Sequence, residues 1–277
     1  MPKIRKWFTV ALTTSALCIG AQASPAATPS PPAGTDADTT AWWWTTAALA
    51  DDAMEGRDTG SAGYERAASY VTQHFQRAGL QPAGDQGGWL QSFPLAEVKV
   101  EAEAGAVQVG RPGAAAIQFE FLHEISVRAT DRLPPVIEGP LSFRGYCSAA
   151  ELGPDMKGRV AVCFATRRNG LPTQAERITA AAHAGAIGII CVDDPGFTIE
   201  PARWPAAYAR SLSIAGDPPA PADDLAVFNL SSAGFVKLLS GTGLDAAEVL
   251  DAGAAKRPLR RFEIPGRFSA HLRLSKK

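Results

Sequence analysis

Histidine is scarce in this sequence, and so are the motifs that hold metals or activate nucleophiles. The 277 residues include four histidines: His74, His123, His183 and His271. None has another His or Cys at metal-ligand spacing, and His123-Glu124 lacks the second His of a zinc helix motif, because Val127 stands there. The sequence contains no Gly-x-Ser-x-Gly nucleophile elbow, and no glycine-rich phosphate-binding loop precedes a predicted helix. The sequence therefore predicts no catalytic, cofactor-binding or metal-binding residue in this chain.

An excess of charge of either sign is also lacking. The 27 basic and 28 acidic residues leave a net charge of -1 at pH 7. The basic residues within 256–277 interleave with apolar positions, which indicates a solvated strand face. Because a nucleic-acid-binding surface needs a basic stripe, we expect no nucleic-acid partner.

The first segment has no apolar run long enough to span a bilayer. Its apolar region, residues 7–20, follows three basic residues and precedes the small-x-small sequence Ala21-Gln22-Ala23. This pattern is typical of a secretory signal peptide over residues 1–23 that is cleaved near Ala23. A retained membrane anchor is the alternative, and the shortness of the run disfavours it. We expect a secreted or periplasmic protein with no stable membrane anchor.

Cysteine is sparse, and three of the four cysteines lie beyond the predicted signal peptide. An odd number allows at most one internal bridge. Cys147 and Cys163 flank the segment that enters the first strand of a predicted βαβ unit, and a bridge between them would contribute about 3 kcal/mol. Two buried free thiols are the alternative. Cys191 lies in a predicted buried strand and is expected to be unpaired.

The first part of the chain is predicted to contain two helices followed by short strands. Residues 24–40, rich in Pro, Ala, Thr and Asp, are predicted to be a disordered leader. A short helix is predicted over 39–50, with Thr39 or Thr40 as its cap. The best-defined helix begins after Ser61 and ends at Gly79, and 89–95 is predicted to be a strand. Residues 98–104 alternate as a half-buried strand does, and 107–109 is expected to pair back on it.

The second part predicts an α/β fold. A turn followed by a buried strand within 157–164, an Ala-rich helix over 174–184 and a buried strand over 186–192 are predicted to form a right-handed βαβ unit. A strand is predicted before it, over 136–146, and another after it, over 225–230. Ser231 is expected to cap a helix over 233–239, and 262–274 is a closing strand. Residues 197–224 are Pro-rich and are predicted to form a long surface excursion.

Residues 134–243 resemble a protease-associated (PA) domain. The matching text is Phe143-Arg-Gly-Tyr146, Lys157-Gly-Arg-Val-Ala-Val162 and the Ala-Gly-Ala-Ile-Gly-Ile-Ile run that ends at Ile190, followed by the strand and helix over 225–239. The resemblance implies a PA domain of β-strands with a βαβ unit and flanking helices.

Residues 49–95 resemble the N-terminal segment of secreted, co-catalytic zinc aminopeptidases, a superfamily that includes aminopeptidase S, glutamate carboxypeptidase and the transferrin receptor. Leu-Ala-Asp-Asp-x-Met-Glu-Gly-Arg, a helix, Ala-Gly-Leu-x-Pro-x-Gly-Asp and Gln-x-Phe-Pro-Leu occur in that order. The resemblance implies that 41–133 is a helix-plus-strand part of a peptidase domain, that the PA domain is inserted after it, and that 244–277 returns toward the rest of the peptidase domain.

The family's zinc ligands have no counterpart in this sequence. The resemblance implies two zinc ions in a domain that follows the PA domain, one of them held by a His-x-Asp motif. The residues two positions after the four histidines are instead Gln76, Ile125, Gly185 and Arg273. No ligand is therefore carried over, and no cofactor is expected within this chain.

The resemblance leads to one functional hypothesis and leaves two alternatives open. The chain is interpreted as a truncated, non-catalytic portion of a secreted zinc aminopeptidase-like protein, whose PA domain gates or binds peptide substrate through Phe197, Trp204 and Tyr208. It is alternatively a stand-alone extracellular protein- or peptide-binding module, or the front part of an active metallo-aminopeptidase whose catalytic domain lies downstream. The expected partner is a peptide or protein substrate, or a peptidase domain in cis or in trans.

Overall fold

The computed structural model describes residues 30–31, 33–101, 106–197, 204–218 and 224–277. The predicted signal peptide and much of the predicted leader lie outside these residues. The chain divides into two compact units, Met1–Ser92 and Phe93–Lys277. The domain boundary predicted at residue 134 therefore falls inside the larger unit. No helix in the described ranges is long and apolar enough to cross a membrane.

The smaller unit contains two α-helices, α1 (Ala37–Leu49) and α2 (Ala62–Arg77), among its described residues. The prediction for α2 is confirmed at both ends: the Ser61 hydroxyl accepts a hydrogen bond from the Tyr64 N–H at 3.2 Å, and Gly79 adopts a φ of +76°. The predicted cap of α1 is wrong. Asp36 caps it and accepts from the Thr39 N–H at 2.8 Å, because a carboxylate just ahead of the helix satisfies a free N–H of its first turn.

The strand predicted over 89–95 is not formed. Its backbone is instead committed to a local loop, in which the Leu90 carbonyl accepts from the Asp85 N–H at 2.9 Å and the Asp85 carboxylate accepts from the Ser92 N–H at 2.7 Å. A segment whose backbone groups are bonded in this way is not available for a sheet ladder. Strand β1 begins only at Leu95 and belongs to the larger unit.

The larger unit is a mixed α/β structure, which confirms the predicted fold class. Its described α-helices are α3 (Gln174–His183), α4 (Ser232–Leu239) and α5 (Ala246–Ala254). Its described strands are β1 (Leu95–Val100), β2 (Ala106–Gly110), β3 (Ile117–Phe119), β4 (Ile125–Val127), β5 (Val136–Phe143), β6 (Val160–Ala165), β7 (Gly188–Asp193), β8 (Arg210–Ile214), β9 (Ala226–Leu230), β10 (Phe262–His271) and β11 (Leu274–Lys276).

Within the described residues these strands form two sheets. The larger sheet has the order β3-β2-β10-β5-β6-β7-β9-β4, and the smaller has the order β11-β1-β8. The pairings β5–β6, β6–β7 and β7–β9 are parallel. The other pairings are antiparallel. The carboxyl ends of the four parallel strands consequently meet at one edge of the sheet.

The predicted βαβ unit is confirmed as β6, α3 and β7. Both strands are apolar runs with nearly every residue buried, as expected for parallel strands covered on both faces. One face of the sheet carries Val162 and Phe164, and the other carries Cys163 and Cys191. Helix α3 covers the second face with Ile178 and Ala181.

One predicted pairing is wrong, and two further pairings were not predicted from the sequence. Strand β2 pairs with β3 and β10 and not with β1. Strand β10 lies inside the larger sheet between β2 and β5, although 244–277 was expected to lead out of the PA domain. The predicted excursion 197–224 contains β8, which pairs with β1. These partners are distant in sequence, so local periodicity does not identify them.

Helix α5, which the sequence did not predict, packs closely on the sheet through Gly253. A Cβ added to Gly253 would lie 2.7 Å from ring atoms of Phe164, which is fully buried. We expect Gly253→Ala to lower the free energy of unfolding by about 1–3 kcal/mol, because the added methyl group must displace a packed ring. Urea unfolding monitored by circular dichroism measures this change. The control is Gly110→Ala, whose Cβ meets open space. An equal effect of both substitutions would contradict the packing explanation.

Candidate functional site

A cleft of about 490 Å³ opens at the carboxyl edge of the parallel strands. Ala165 and Asp193, the last residues of β6 and β7, line it together with the first turn of α3. In α/β sheets, ligands commonly bind outside the carboxyl ends of the strands, because the connecting loops converge there. The topology therefore makes this cleft the principal candidate for a binding site.

The three aromatic residues predicted to contact peptide line this one cleft. Phe197 and Tyr208 are 46% and 41% exposed, whereas Trp204 is buried at 5%. The main-chain N–H of Trp204 donates to the main-chain carbonyl of Leu122 at 2.7 Å, which fixes Trp204 to the rest of the larger unit. Residues 198–203 lie outside the described part of the chain. The structure thus brings Phe197, Trp204 and Tyr208 together, and their contact with peptide remains a prediction.

Asp194 organises the loop that carries Phe197. Its carboxylate accepts from the Thr166 hydroxyl at 2.6 Å, from Arg168 Nε at 2.9 Å and from the Gly196 N–H at 2.9 Å. The Asp194 carbonyl accepts from the Phe197 N–H at 2.9 Å, and the Arg168 guanidinium lies 4.9 Å from the centre of the Phe197 ring. This Asp194 cluster, formed by Thr166, Arg168, Asp194 and Gly196, holds the ring at the mouth of the cleft.

The Asp194 carboxyl group is buried yet stays ionised. Burial by itself would raise its pKa, but hydrogen bonds from Arg168, Thr166 and the Gly196 N–H outweigh burial and hold the pKa below its ordinary value. The Asp194 side chain is 1% exposed and that of Arg168 is 28% exposed. The negative charge in this wall of the cleft is therefore compensated within the protein.

Arg177, on the first turns of α3, is a buried cation that also lines the cleft. It is 2% exposed. Its Nε donates to the Tyr146 carbonyl at 3.0 Å, and its Nη2 donates to the Thr166 carbonyl at 3.1 Å. Arg177 thereby joins the loop after β5, the loop after β6 and helix α3 at one point behind the cleft.

A disulfide joins Cys147 to Cys163, with 5.6 Å between the two Cα atoms. Cys147 directly follows Tyr146, so the bridge holds one acceptor of Arg177 against β6. Cys191 is a free, buried thiol, and burial raises its pKa to about 12. Because a thiolate is the nucleophilic form of cysteine, this thiol is not suited to catalysis.

In the part of the chain that the structure describes, the histidines do not form a metal site with each other or with carboxylates. Within the described ranges, no three His, Cys, Asp or Glu side chains come together in a group that could hold a metal ion. His123 contacts Glu120 at 3.5 Å and His271 contacts Glu138 at 3.2 Å, each as a separate pair at the surface. The donor set of the described residues therefore does not fit a pair of zinc ions.

Sequence reasoning did not identify Arg177 or Asp194 as residues of the site. Arg177 lies four residues before Ala181 and therefore shares the apolar face of an otherwise Ala-rich helix. A cation on such a face indicates a buried charge, and this pattern could have identified Arg177. Asp194 directly follows a buried strand, and its sequence position alone does not mark it as a residue of the site. Its role depends on Thr166 and Arg168, which come from the preceding strand end.

The described structure is therefore a mixed α/β protein with a cleft at the carboxyl edge of its sheet. Neither the protein-family models nor the curated proteins give a match. Similar solved structures include the aminopeptidase from Aneurinibacillus sp. strain AM-1, with 14% identity and a TM-score of 0.39, covering 82% of this chain and 45% of that one. They also include BSAP, a zinc aminopeptidase from Bacillus subtilis, with 13% identity and a TM-score of 0.39, covering 84% of this chain and 44% of that one. The chain spans less than half the length of both structures, and a likeness of this degree assigns neither family nor function.

Proposed function

We propose that this chain is a secreted, non-catalytic portion of a zinc aminopeptidase-like protein and that its larger unit binds polypeptide in the cleft at the carboxyl edge of the sheet. The observation that carries the proposal is the convergence of Phe197, Trp204 and Tyr208 on that cleft. Aromatic rings bind apolar side chains at little entropic cost, and the polar groups of the same walls suit a peptide backbone.

The two exposed rings provide a test of peptide binding. The probe is a pool of hexapeptides built from alanine, glycine, leucine, phenylalanine and serine, labelled at the N-terminus with the uncharged dansyl group. We expect binding by fluorescence anisotropy, and we expect Phe197→Ala combined with Tyr208→Ala to weaken it about tenfold, because the loss of two aromatic contacts removes at least about 1.4 kcal/mol of binding.

The matched control for this test is Phe93→Ala. Phe93 is also exposed, at 57%, and does not line the cleft. Peptide affinity in this variant should equal that of the unsubstituted chain. Absence of any anisotropy change with the unsubstituted chain would overturn the proposed function, and an equal loss in the control would overturn the assignment of the cleft.

A specific observation favours a second partner for the smaller unit. Among its described helices the buried residues are Gly63 and Ala67, while Trp42 is 65% exposed and Phe75 is 46% exposed. Apolar surface of this kind marks an interaction site or a tendency to aggregate. We propose that the smaller unit packs on a peptidase domain, supplied in cis or in trans. A monomer that neither self-associates at high concentration nor binds an apolar dye would argue for an independent module.

A further inference from the structure

Arg177 is a buried cation that forms no hydrogen bond or ion pair with a carboxylate of the described residues. Its hydrogen-bond partners are two main-chain carbonyls, those of Tyr146 and Thr166. The carboxylates nearest in the fold are committed elsewhere. Glu176 bonds to Thr173 in the cap of α3, and Glu151 accepts from the Ser148 N–H at 2.8 Å. A charge removed from water is costly unless it is paired, so an unneutralised buried guanidinium requires an explanation.

The third nitrogen of Arg177, Nη1, is the part of the guanidinium that the main-chain carbonyls do not bind. Nη1 makes no hydrogen bond within the described residues, yet it is not sealed from solvent. Arg177 is also one of the residues that line the cleft. Nη1 has two N–H donors, and guanidinium groups bind carboxylates more strongly than they bind neutral acceptors.

The other charges of the cleft do not supply the missing partner. Asp194 is bonded to Arg168 and Thr166 in the Asp194 cluster. Asp193 and Arg167 also line the cleft, so its walls carry one further charge of each sign. Burial lowers the pKa of Arg177, but an arginine keeps its proton even in such surroundings. A permanent positive charge therefore stands behind a cleft that is open to ligands.

We propose that the cleft binds peptides through a carboxylate group held by Arg177, with apolar side chains placed against Phe197 and Tyr208. This inference rests on the proposed function, since it specifies which peptides the cleft takes. The carboxylate is either the free C-terminus of a peptide or an acidic side chain, and both sources present the same group to Nη1.

Three peptide pools separate these sources in the unsubstituted full chain. The first is the dansyl-hexapeptide pool with free C-termini, whose only charge is the terminal carboxylate. The second is its uncharged C-terminal amide, and the third is the amide pool with one aspartate per peptide. We expect the amide pool to bind about tenfold more weakly than at least one of the other two, because a charge-assisted bond is lost. Preference for the first pool identifies the C-terminus, and preference for the third identifies an acidic side chain.

Substitution of Arg177 tests whether this residue is the source of the preference. Arg177→Gln should abolish the difference between the pools, and Arg177→Lys should retain part of it. The matched control, Arg260→Gln, removes the same charge from an exposed residue outside the lining and should retain all of it. If Arg177→Gln fails to fold, Arg177→Lys decides the role of Arg177, and an undiminished preference in that folded variant would overturn it.

The outcomes distinguish this inference from the proposed function. Equal affinity for all three pools would overturn the carboxylate site and leave peptide binding intact. A preference that persists in folded Arg177→Gln would overturn the role of Arg177. Absence of binding by every pool would overturn both the inference and the proposed function.

Discussion

Replacement of Asp194 by alanine is expected to lower the free energy of unfolding of the larger unit by about 3 kcal/mol. The substitution leaves the Thr166 hydroxyl and the Gly196 N–H without their acceptor and Arg168 without its counter-ion. Removing one partner from a buried, hydrogen-bonded charge pair is costly because the other groups remain desolvated. Urea unfolding followed by circular dichroism measures the loss.

The matched control for Asp194→Ala is Asp251→Ala. Asp251 is an exposed carboxylate in α5, and we expect its removal to change stability little, because no buried group depends on it. The Asp194 variant should also bind peptide more weakly, since the Asp194 cluster positions Phe197. Equal stability of the two variants would contradict the role assigned to Asp194.

The stabilisation by Asp194 should depend on pH in a defined direction. Its pKa in the folded protein is lowered, so the unfolded chain binds the proton more readily. The contribution is therefore complete above about pH 4, the ordinary value for the carboxyl group, and is lost as the pH falls through the lower folded value. In Asp194→Asn, unfolding free energy should fall less steeply below about pH 4 than in the unsubstituted chain. Identical slopes in this range would contradict the assignment.

Loss of the disulfide is expected to cost about 3 kcal/mol of stability, because the bridge between residues 16 apart restricts the unfolded chain. Dithiothreitol should lower the unfolding midpoint of the unsubstituted chain. A variant with both Cys147→Ala and Cys163→Ala should start from the lower midpoint and be insensitive to the reductant. The bridge also holds the Tyr146 carbonyl that Arg177 contacts, so reduction should weaken peptide binding.

Cys191→Ala serves as the control for the disulfide. Cys191 is a free, buried cysteine, so its removal leaves the bridge intact and the midpoint should still respond to dithiothreitol. A midpoint of the unsubstituted chain that does not change on reduction would contradict the predicted stabilisation. Loss of the response to dithiothreitol in Cys191→Ala would contradict the assignment of the redox-sensitive bridge to Cys147 and Cys163.

Local elements of this protein follow directly from its sequence. The caps at Ser61 and Ser231, the stop at Gly79 and the βαβ unit over β6, α3 and β7 were predictable, because each depends on residues a few positions apart. The sequence placed Phe197, Trp204 and Tyr208 in one segment of the chain, but it did not predict which part of the fold they would line. They line one cleft because the carboxyl ends of the parallel strands form its other walls.

Tertiary structure alone decided the strand order and the charges of the cleft. The insertion of β10 between β2 and β5 and the pairing of β8 with β1 join segments more than a hundred residues apart, and local hydrophobic patterns carry no information on such partners. The burial of Arg177 and the neutralisation of Asp194 depend on the same long-range packing. The sequence by itself thus determined four of the five described α-helices and the strands of the βαβ unit, whereas the chemistry of the cleft arises from side chains that only the folded sheet brings together.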